Sequence, residues 1–337
     1  MPLRSLSPLY GKKILLLTHA GADVDSLASA AALMFALKGK SAAAICVPEH
    51  LNLSAKALAS NLSIPFKINL SMKGFDAVVC LDFNKPSMLG PMAPEFRDFK
   101  GEKFLVDHHV PEKATYSMVP EKNCFTRKSA VSTTELVFEL LKNSRVKIPR
   151  KSLLCIASGI VADSASFLVA DHSTFRIMSE IILLGKTSYA EILGLFSVKK
   201  DFSQKIASLK AAKRCRIFRG NDSIIAIAEI GSFEADAAAS LVRVGADAAF
   251  CGYADKGKIR VSGRANNSWL RREKIDLARD VFVKLEKFFP GEGGGHAGAA
   301  GFNGEGDEAV KLLEKCAELL NEALSRGKKN AELKEYA

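Results

Sequence analysis

Short apolar runs recur along the first two hundred residues, each separated from the next by helical or polar sequence, and this rhythm restricts the fold more than any other feature. Residues 14–17, 42–47, 75–81 and 104–106 read as strands. Residues 24–37, rich in alanine, read as a helix, as do 132–141, 152–159 and roughly 174–184. Apolar strands alternating with helices predict an α/β domain with a largely parallel sheet. From about 189 to 214 the pattern turns Lys-rich and helical, which predicts a connector. Beyond Arg216 a second rhythm begins, with strands at 223–230, 248–253 and 258–262 and helices at 237–244, 275–288 and 308–320. The last two of these strands are expected to pair through the turn at 255–257. The final dozen residues read as a frayed helix or tail, and no internal repeat is evident. The expected division is a domain over 1–190, a helical connector over 191–215 and a smaller mixed α/β domain over 216–330.

A chain of 337 residues with 48% hydrophobic and 25% charged residues has the length for two such domains and the composition for real cores. The formal charge of +11 would concentrate an anionic partner, so it permits phosphate substrates without establishing them. Seven cysteines, an odd number with no Cys-x-x-Cys pair, argue against a disulfide framework and a thiolate zinc site, and suit a reducing compartment. No apolar run reaches bilayer length and none reads as a signal peptide. The expectation is a cytoplasmic protein with no membrane association.

The acids fall at informative places. Asp23 and Asp25 follow the strand that ends beside His19; Asp82 follows the strand ending at Leu81; Asp107, His108 and His109 follow the strand ending at Val106. Loops beyond the carboxyl ends of strands in an open α/β sheet converge on a crevice. Taken singly, His19 is an ordinary loop residue, Asp23 or Asp25 a helix N-cap, and Asp82 a turn former before Pro86. Gathered together, the carboxylates would repel one another without cations. Mixed oxygen and nitrogen ligands suit manganese, with zinc, iron or cobalt possible by ligand type. Two cations about 3.5–4 Å apart activate water and stabilise the leaving oxygen of a phosphoryl group.

In order and spacing these segments resemble the DHH/DHHA1 phosphoesterase superfamily, which includes RecJ-type exonucleases, nanoRNase-like enzymes and cyclic dinucleotide phosphodiesterases. The resemblance rests on His19-Ala20-Gly21-Ala22-Asp23-Val24-Asp25-Ser26, Asp82, Asp107-His108-His109 and Gly159-Ile160-Val161-Ala162-Asp163. It extends to Gly293-Gly294-Gly295-His296 and Ala299-Ala300-Gly301. It implies a parallel-sheet DHH domain joined by a helical connector to a smaller mixed α/β DHHA1 domain, with the active site in the interdomain cleft. It implies two divalent cations per chain, most often Mn2+, with Mg2+ or Co2+ as alternatives. His19 and Asp23 would hold one cation, and Asp25, His108 and Asp163 the other, with Asp82 bridging. Asp163 enters through the resemblance alone; read by itself it is a helix-end acid. Asp82, Asp107, His108 and His109 would form the catalytic set, with Asp107 acting electrostatically and His109 beside the reacting phosphate.

On the same resemblance Arg264, Gly293, Gly294, Gly295 and His296 would bind substrate. Glycine lets a backbone approach a phosphate or ribose, and a guanidinium matches phosphate in a two-pronged fork. Ser262 and Asn266 are weaker companions to Arg264. Ser132, Thr133 and Thr134 precede a helix and read as capping residues. Tyr253 and Trp269 are candidates for stacking on a base. The implied activity is hydrolysis of short oligonucleotides or small nucleotides by metal-activated water. The partner is thus a short single-stranded oligonucleotide or nucleotide, and a homodimer is possible. Alternatives are a cyclic dinucleotide or 3',5'-bisphosphonucleoside phosphoesterase, a non-catalytic nucleic-acid-binding module, and an inorganic pyrophosphatase. Asp23-Val24-Asp25-Ser26 is similar to the family II pyrophosphatase pattern, whereas the Gly-Gly-Gly-His motif speaks against it.

Overall fold

The structure is a computed structural model that describes residues 4–109, 115, 117–198, 201–220, 222–326 and 333–336. It divides into two compact units, Met1–Val198 and Lys199–Ala337.

In the first unit the strands are β1 (Lys13–Leu17), β2 (Gly21–Ala22), β3 (Ala42–Val47), β4 (His50–Leu51), β5 (Lys67–Ile68), β6 (Ala77–Leu81), β7 (Glu102–Asp107) and β8 (Cys124–Thr126). Six of them form one sheet in the order β5-β3-β1-β6-β7-β8, every pair parallel. The alternating side chains of β1 explain why the sheet is covered twice. Ile14 and Leu16 enter a core shared with the helices α1 (Val24–Leu37), α4 (Thr133–Asn143) and α5 (Arg150–Asp163). Leu15 and Leu17 face a second core around Phe83, Met92 and Phe96, the last on α3 (Ala93–Asp98). The remaining helices are α2 (Leu53–Leu62), α6 (His172–Gly185) and α7 (Tyr189–Phe196). Strand order reverses between β1 and β6, which makes their adjacent carboxyl ends the switch point where such sheets take ligands.

The second unit carries a mixed seven-stranded sheet. Its strands are β9 (Arg216–Gly220), β10 (Ser223–Glu229), β11 (Ala248–Asp255), β12 (Lys258–Ala265), β13 (Gly291–His296), β14 (Ala299–Glu305) and β15 (Lys334–Tyr336), in the order β13-β14-β12-β11-β10-β9-β15. Only β10 and β11 run parallel. The expected hairpin turn lies between Asp255 and Lys258, where Lys256 and Gly257 both adopt positive φ, as a tight two-residue turn requires. Helices α8 (Phe202–Arg214) and α9 (Glu234–Val244) lie by one face, and α10 (Asn267–Glu273) and α11 (Ala309–Leu324) by the other.

Several sequence expectations change here. The stretch 191–215 is helical in two pieces, within α7 and α8. Ile192 of α7 is buried in the first unit's core and the Leu195 carbonyl accepts from Asn61, while Ala207 and Ala211 of α8 are buried in the second unit beside α9. The expected helix at 275–288 contains a π-helical turn, Ala278–Phe282, before the short helix Val283–Leu285. Its Asp280 is buried and accepts from the Asp276 amide, Arg279 and Arg326, a set of partners that hydrophobic periodicity does not record. The expected tail supplies β15, which pairs with β9; residues 327–332 and 337 lie outside the described residues. Among the described residues no helix is long and apolar enough to cross a membrane.

Candidate metal centre

Four segments carry the candidate ligands to the carboxyl edge of the parallel sheet. The loop after β1 bears His19 and is pinned where β2 pairs with β4 and the Ala20 amide donates to the Met88 carbonyl at 2.7 Å. Asp23 then caps α1, accepting from the Ser26 amide at 3.0 Å, which realises the capping reading of this residue. Asp82 follows β6 with φ of 59°, a left-handed backbone that a non-glycine residue adopts only when its surroundings enforce it. Asp107 ends β7 and is fully buried, with His108 and His109 directly beyond. Asp163 is the last residue of α5, which runs four residues past the expected end at Gly159.

Three groups of potential ligands result: His19, Asp23 and Asp82; Asp25, His108 and Asp163; and Asp82, Asp107, His108 and His109. Within each group the ligand atoms lie within 4.8 Å of one another. Asp82 faces two of these groups with different oxygens. Its Oδ2 lies 3.9 Å from His19 Nε2, and its Oδ1 lies 3.6 Å from His108 Nε2. His19 Nε2 is also 3.7 Å from Asp23, and His108 Nε2 is 3.5 Å from Asp163. His108 Nδ1 lies 3.3 Å from the Ala130 carbonyl, an acceptor only, so this nitrogen donates there and Nε2 is the one turned to the carboxylates. That Nε2 is buried without a hydrogen-bond partner, as is Asp107 Oδ2. Orphaned acceptors among carboxylates fit a cation, and a histidine fixed through its other nitrogen is the usual form of a metal ligand.

The electrostatics agree. Burial, then the charges of Asp25, Asp23, Asp163 and Asp107, push the Asp82 carboxyl well above its ordinary range. Burial and the same two neighbours, Asp25 and Asp23, push Asp163 up to about 8. Its place at a helix C-terminus adds an unfavourable dipole for a negative charge. Asp25 is raised by burial and by Asp23, despite the bonds it accepts from Thr134. Asp23 behaves differently: burial raises it, but contact with His19 and the Ser26 amide outweigh this and hold it below the usual value. His109 is raised by its Nδ1 bond to Asp107 at 2.9 Å, which outweighs its partial burial. Carboxylates whose ionisation is opposed by burial and by one another are groups whose charge a cation would stabilise.

Sequence reasoning missed what holds Asp25. Ser132 caps α4 as expected, accepting from the Glu135 amide. Thr133 and Thr134 do more. The Thr133 amide donates to Asp25 Oδ2 at 2.6 Å, and the Thr134 amide and hydroxyl both donate to Asp25 Oδ1, at 3.0 and 2.7 Å. Gly159 makes room, since a Cβ there would lie 2.5 Å from the Thr134 side chain and 2.6 Å from Asp25 Oδ1. A Ser-Thr-Thr run before an apolar helix signals only a cap; the partner lies 108 residues away.

In the second unit the expected glycine loop is the edge strand β13. Cross-strand partners share a sheet face, and pairing puts Arg264, Ala299 and His296 on one rung, with Ser262, Gly301 and Gly294 on the next. These rungs give a floor of small residues flanked by a guanidinium and an imidazole. The three glycines are not equivalent. Gly293 packs its bare face on the Phe282 backbone and donates its amide to Glu286, and Gly295, at φ 133°, packs against Ala299 and Ala300. Only at Gly294 is the space beyond the backbone open. Arg264 donates to the Gly263 carbonyl and, among the described residues, makes no ion pair. Asn266 caps α10. Trp269 is 1% exposed and donates to Ser223 Oγ at 2.9 Å, which removes it as a stacking surface; Tyr253 stays half-buried beside Arg260.

Comparison with known proteins places the chain. Residues 13–160 match the DHH family, N-terminal domain, and residues 235–325 match the DHHA1 domain. An uncharacterized protein of Methanocaldococcus jannaschii is 28% identical over 321 residues, covering 94% of each chain. A membrane protein–large ribosomal subunit bL9 fusion protein of Aster yellows witches'-broom phytoplasma is 28% identical over 272 residues. That match covers 78% of this chain and 29% of the fusion protein. Among solved structures, an exopolyphosphatase-related protein from Bacteroides fragilis shares the fold with a TM-score of 0.62 at 19% identity, over 93% of this chain and 92% of that one.

Proposed function

We propose, from a chain that has the DHH/DHHA1 domain architecture, that this protein is a divalent-cation-dependent phosphoesterase acting on short oligonucleotides or small nucleotides. The observation that carries the reading is His108 Nε2, buried, unpartnered and set between Asp82 and Asp163. In this reading His19 and Asp23 hold one cation and Asp25, His108 and Asp163 the other, with Asp82 offering an oxygen to each. The mixed carboxylate and imidazole set favours Mn2+, with Mg2+ or Co2+ as alternatives. Bound cations at such a site activate water toward phosphorus and neutralise charge on the non-bridging oxygens.

The chain's own groups supply the rest. His109 is 47% exposed at its side chain and oriented by Asp107, whose buried carboxylate accepts from both the His109 amide and Nδ1 at 2.9 Å. With Nδ1–H so engaged and its affinity for protons raised, His109 has a second N–H to give to a phosphate oxygen or leaving group. Asp107 thus fixes the ring and stabilises its charge. Arg264 and His296, on either side of Ala299 on one rung and beside Gly301 and Gly294 on the next, suit a substrate phosphate.

The test is a time course with a 5'-labelled RNA trinucleotide and Mn2+, run beside Asp82→Ala. Stepwise release of mononucleotides that vanishes in the variant supports the short-oligonucleotide activity. Absence of metal-dependent turnover removes that substrate, and the same assay then runs on cyclic dinucleotides, 3',5'-bisphosphonucleosides and pyrophosphate.

A further inference from the structure

Thr133 is not the cap of α4, yet it is fully buried, and its amide and hydroxyl both point at the cation cradle. Its amide donates to Asp25 Oδ2 at 2.6 Å. Its hydroxyl donates to Asp82 Oδ1 at 3.0 Å and accepts from the His108 amide at 3.3 Å. One residue therefore touches three residues of the cradle, on three different chain segments. The amide and hydroxyl of Thr134, beside it, bond Asp25 and Ser132 and, among the described residues, no other residue of the cradle.

The arrangement leaves the hydroxyl one orientation. A threonine hydroxyl has a single proton; the His108 amide N–H can only donate to it, and a carboxylate ionised so as to hold a cation can only accept from it. The proton therefore goes to Asp82, and the lone pair faces the His108 amide. The Asp82 backbone is held at φ 59°, and its two oxygens face His19 on one side and His108 and His109 on the other. A carboxylate free to rotate about its last torsion would present these oxygens to either group indifferently.

We infer that Thr133 is a positioning residue whose hydroxyl fixes the orientation of Asp82 and so couples the two cation positions. The inference rests on the reading that Asp82 is shared between those positions. The amide bond to Asp25 survives any side-chain change, so substitution isolates the hydroxyl. Thr133→Val keeps the shape and removes the donor; Thr133→Ser keeps the donor and removes the methyl.

The experiment is a calorimetric titration of the metal-free full chain with Mn2+, for wild type, Thr133→Val, Thr133→Ser and Thr134→Val. Circular dichroism and thermal midpoints are recorded on the same samples. Loss of a partner that orients a ligand weakens metal affinity about 10- to 100-fold. The expected result is two cations bound by wild type, with both steps weakened at least about tenfold in Thr133→Val and restored to within about threefold in Thr133→Ser. Thr134→Val is expected to weaken one step only. Wild-type binding by Thr133→Val, or equal loss in Thr133→Ser, overturns the inference while leaving the cation site intact. Absence of cation binding by wild type overturns the functional reading as well. Should Thr133→Val not fold, Thr133→Ala and Thr133→Ser are compared in its place, and equal affinities in those two overturn the proposal.

Discussion

Adding one methyl group at Gly159 should disable the cradle from behind. In a helix interior alanine is favoured over glycine by about 0.8–1.0 kcal/mol, so the intrinsic expectation for Gly159→Ala is a more stable protein. The structure reverses the sign. The new Cβ would lie 2.6 Å from Asp25 Oδ1 and 2.5 Å from Thr134 Oγ1 and Cγ2, where ordinary contact begins at 3.4 Å, so something must retreat by about 0.8 Å. Neither neighbour is loose, because Thr134 donates to that same Asp25 oxygen through both amide and hydroxyl. Overpacking costs about 1–3 kcal/mol, and a weakened hydrogen bond to a buried charged group about 1.5–3 kcal/mol. Net of the propensity gain, destabilisation of about 2–5 kcal/mol is expected. Urea unfolding of the metal-free protein measures it, with Gly194→Ala as the internal control. Gly194 lies exposed in α7 with nothing within 4 Å, so there the propensity gain should appear undiminished. Mn2+ affinity should fall in Gly159→Ala and stay unchanged in Gly194→Ala. A Gly159→Ala protein that is as stable as wild type and binds Mn2+ normally would refute the close packing of α5 on Asp25.

Four further outcomes follow from the geometry. Asp163 has a folded pKa near 8 against 3.8 ordinarily, so the metal-free fold holds a proton that the unfolded chain has released between those values. Its stabilising share is complete below about pH 4 and lost as pH rises through about 8. The metal-free unfolding free energy should therefore decline by on the order of 2 kcal/mol from pH 5 to 8.5, allowing for partial exposure, and saturating Mn2+ should cancel the decline; a flat metal-free profile would contradict the crowding of carboxylates. Ala165, Ser166 and Phe167 hold positive φ consecutively after Asp163, so Ala165→Gly should raise the thermal midpoint, by roughly 0.5–1 kcal/mol in stability terms. Gly293→Ala should destabilise the second unit by about 1–3 kcal/mol, because its Cβ meets the Phe282 backbone. Gly294→Leu should leave stability within about 0.5 kcal/mol yet weaken nucleotide binding, and equal unfolding midpoints for these two variants would show that the glycines are interchangeable.

How much was legible in the sequence can be followed residue by residue. The parallel sheet was readable because β1, β3, β6 and β7 are apolar on both faces, and buried strands must be. His19, Asp82, Asp107 and His108 were readable because strand ends converge by topology, which local sequence encodes. Asp163 needed the family resemblance, since nothing local separates it from any acid at a helix end. What only the tertiary structure decided are relations between distant segments. Thr133 reads as a cap until α4 is seen to aim its first turn at Asp25; Gly159 reads as a weak spot in a helix until α5 presses on that carboxylate. Trp269 reads as a stacking surface until Ser223 is found against its indole N–H. Local sequence sets hydrophobic period, caps and turns through interactions spanning a few residues. The identity of a side chain's partner across a hundred residues is fixed only by packing, because many distant residues of the same type would satisfy the same local pattern.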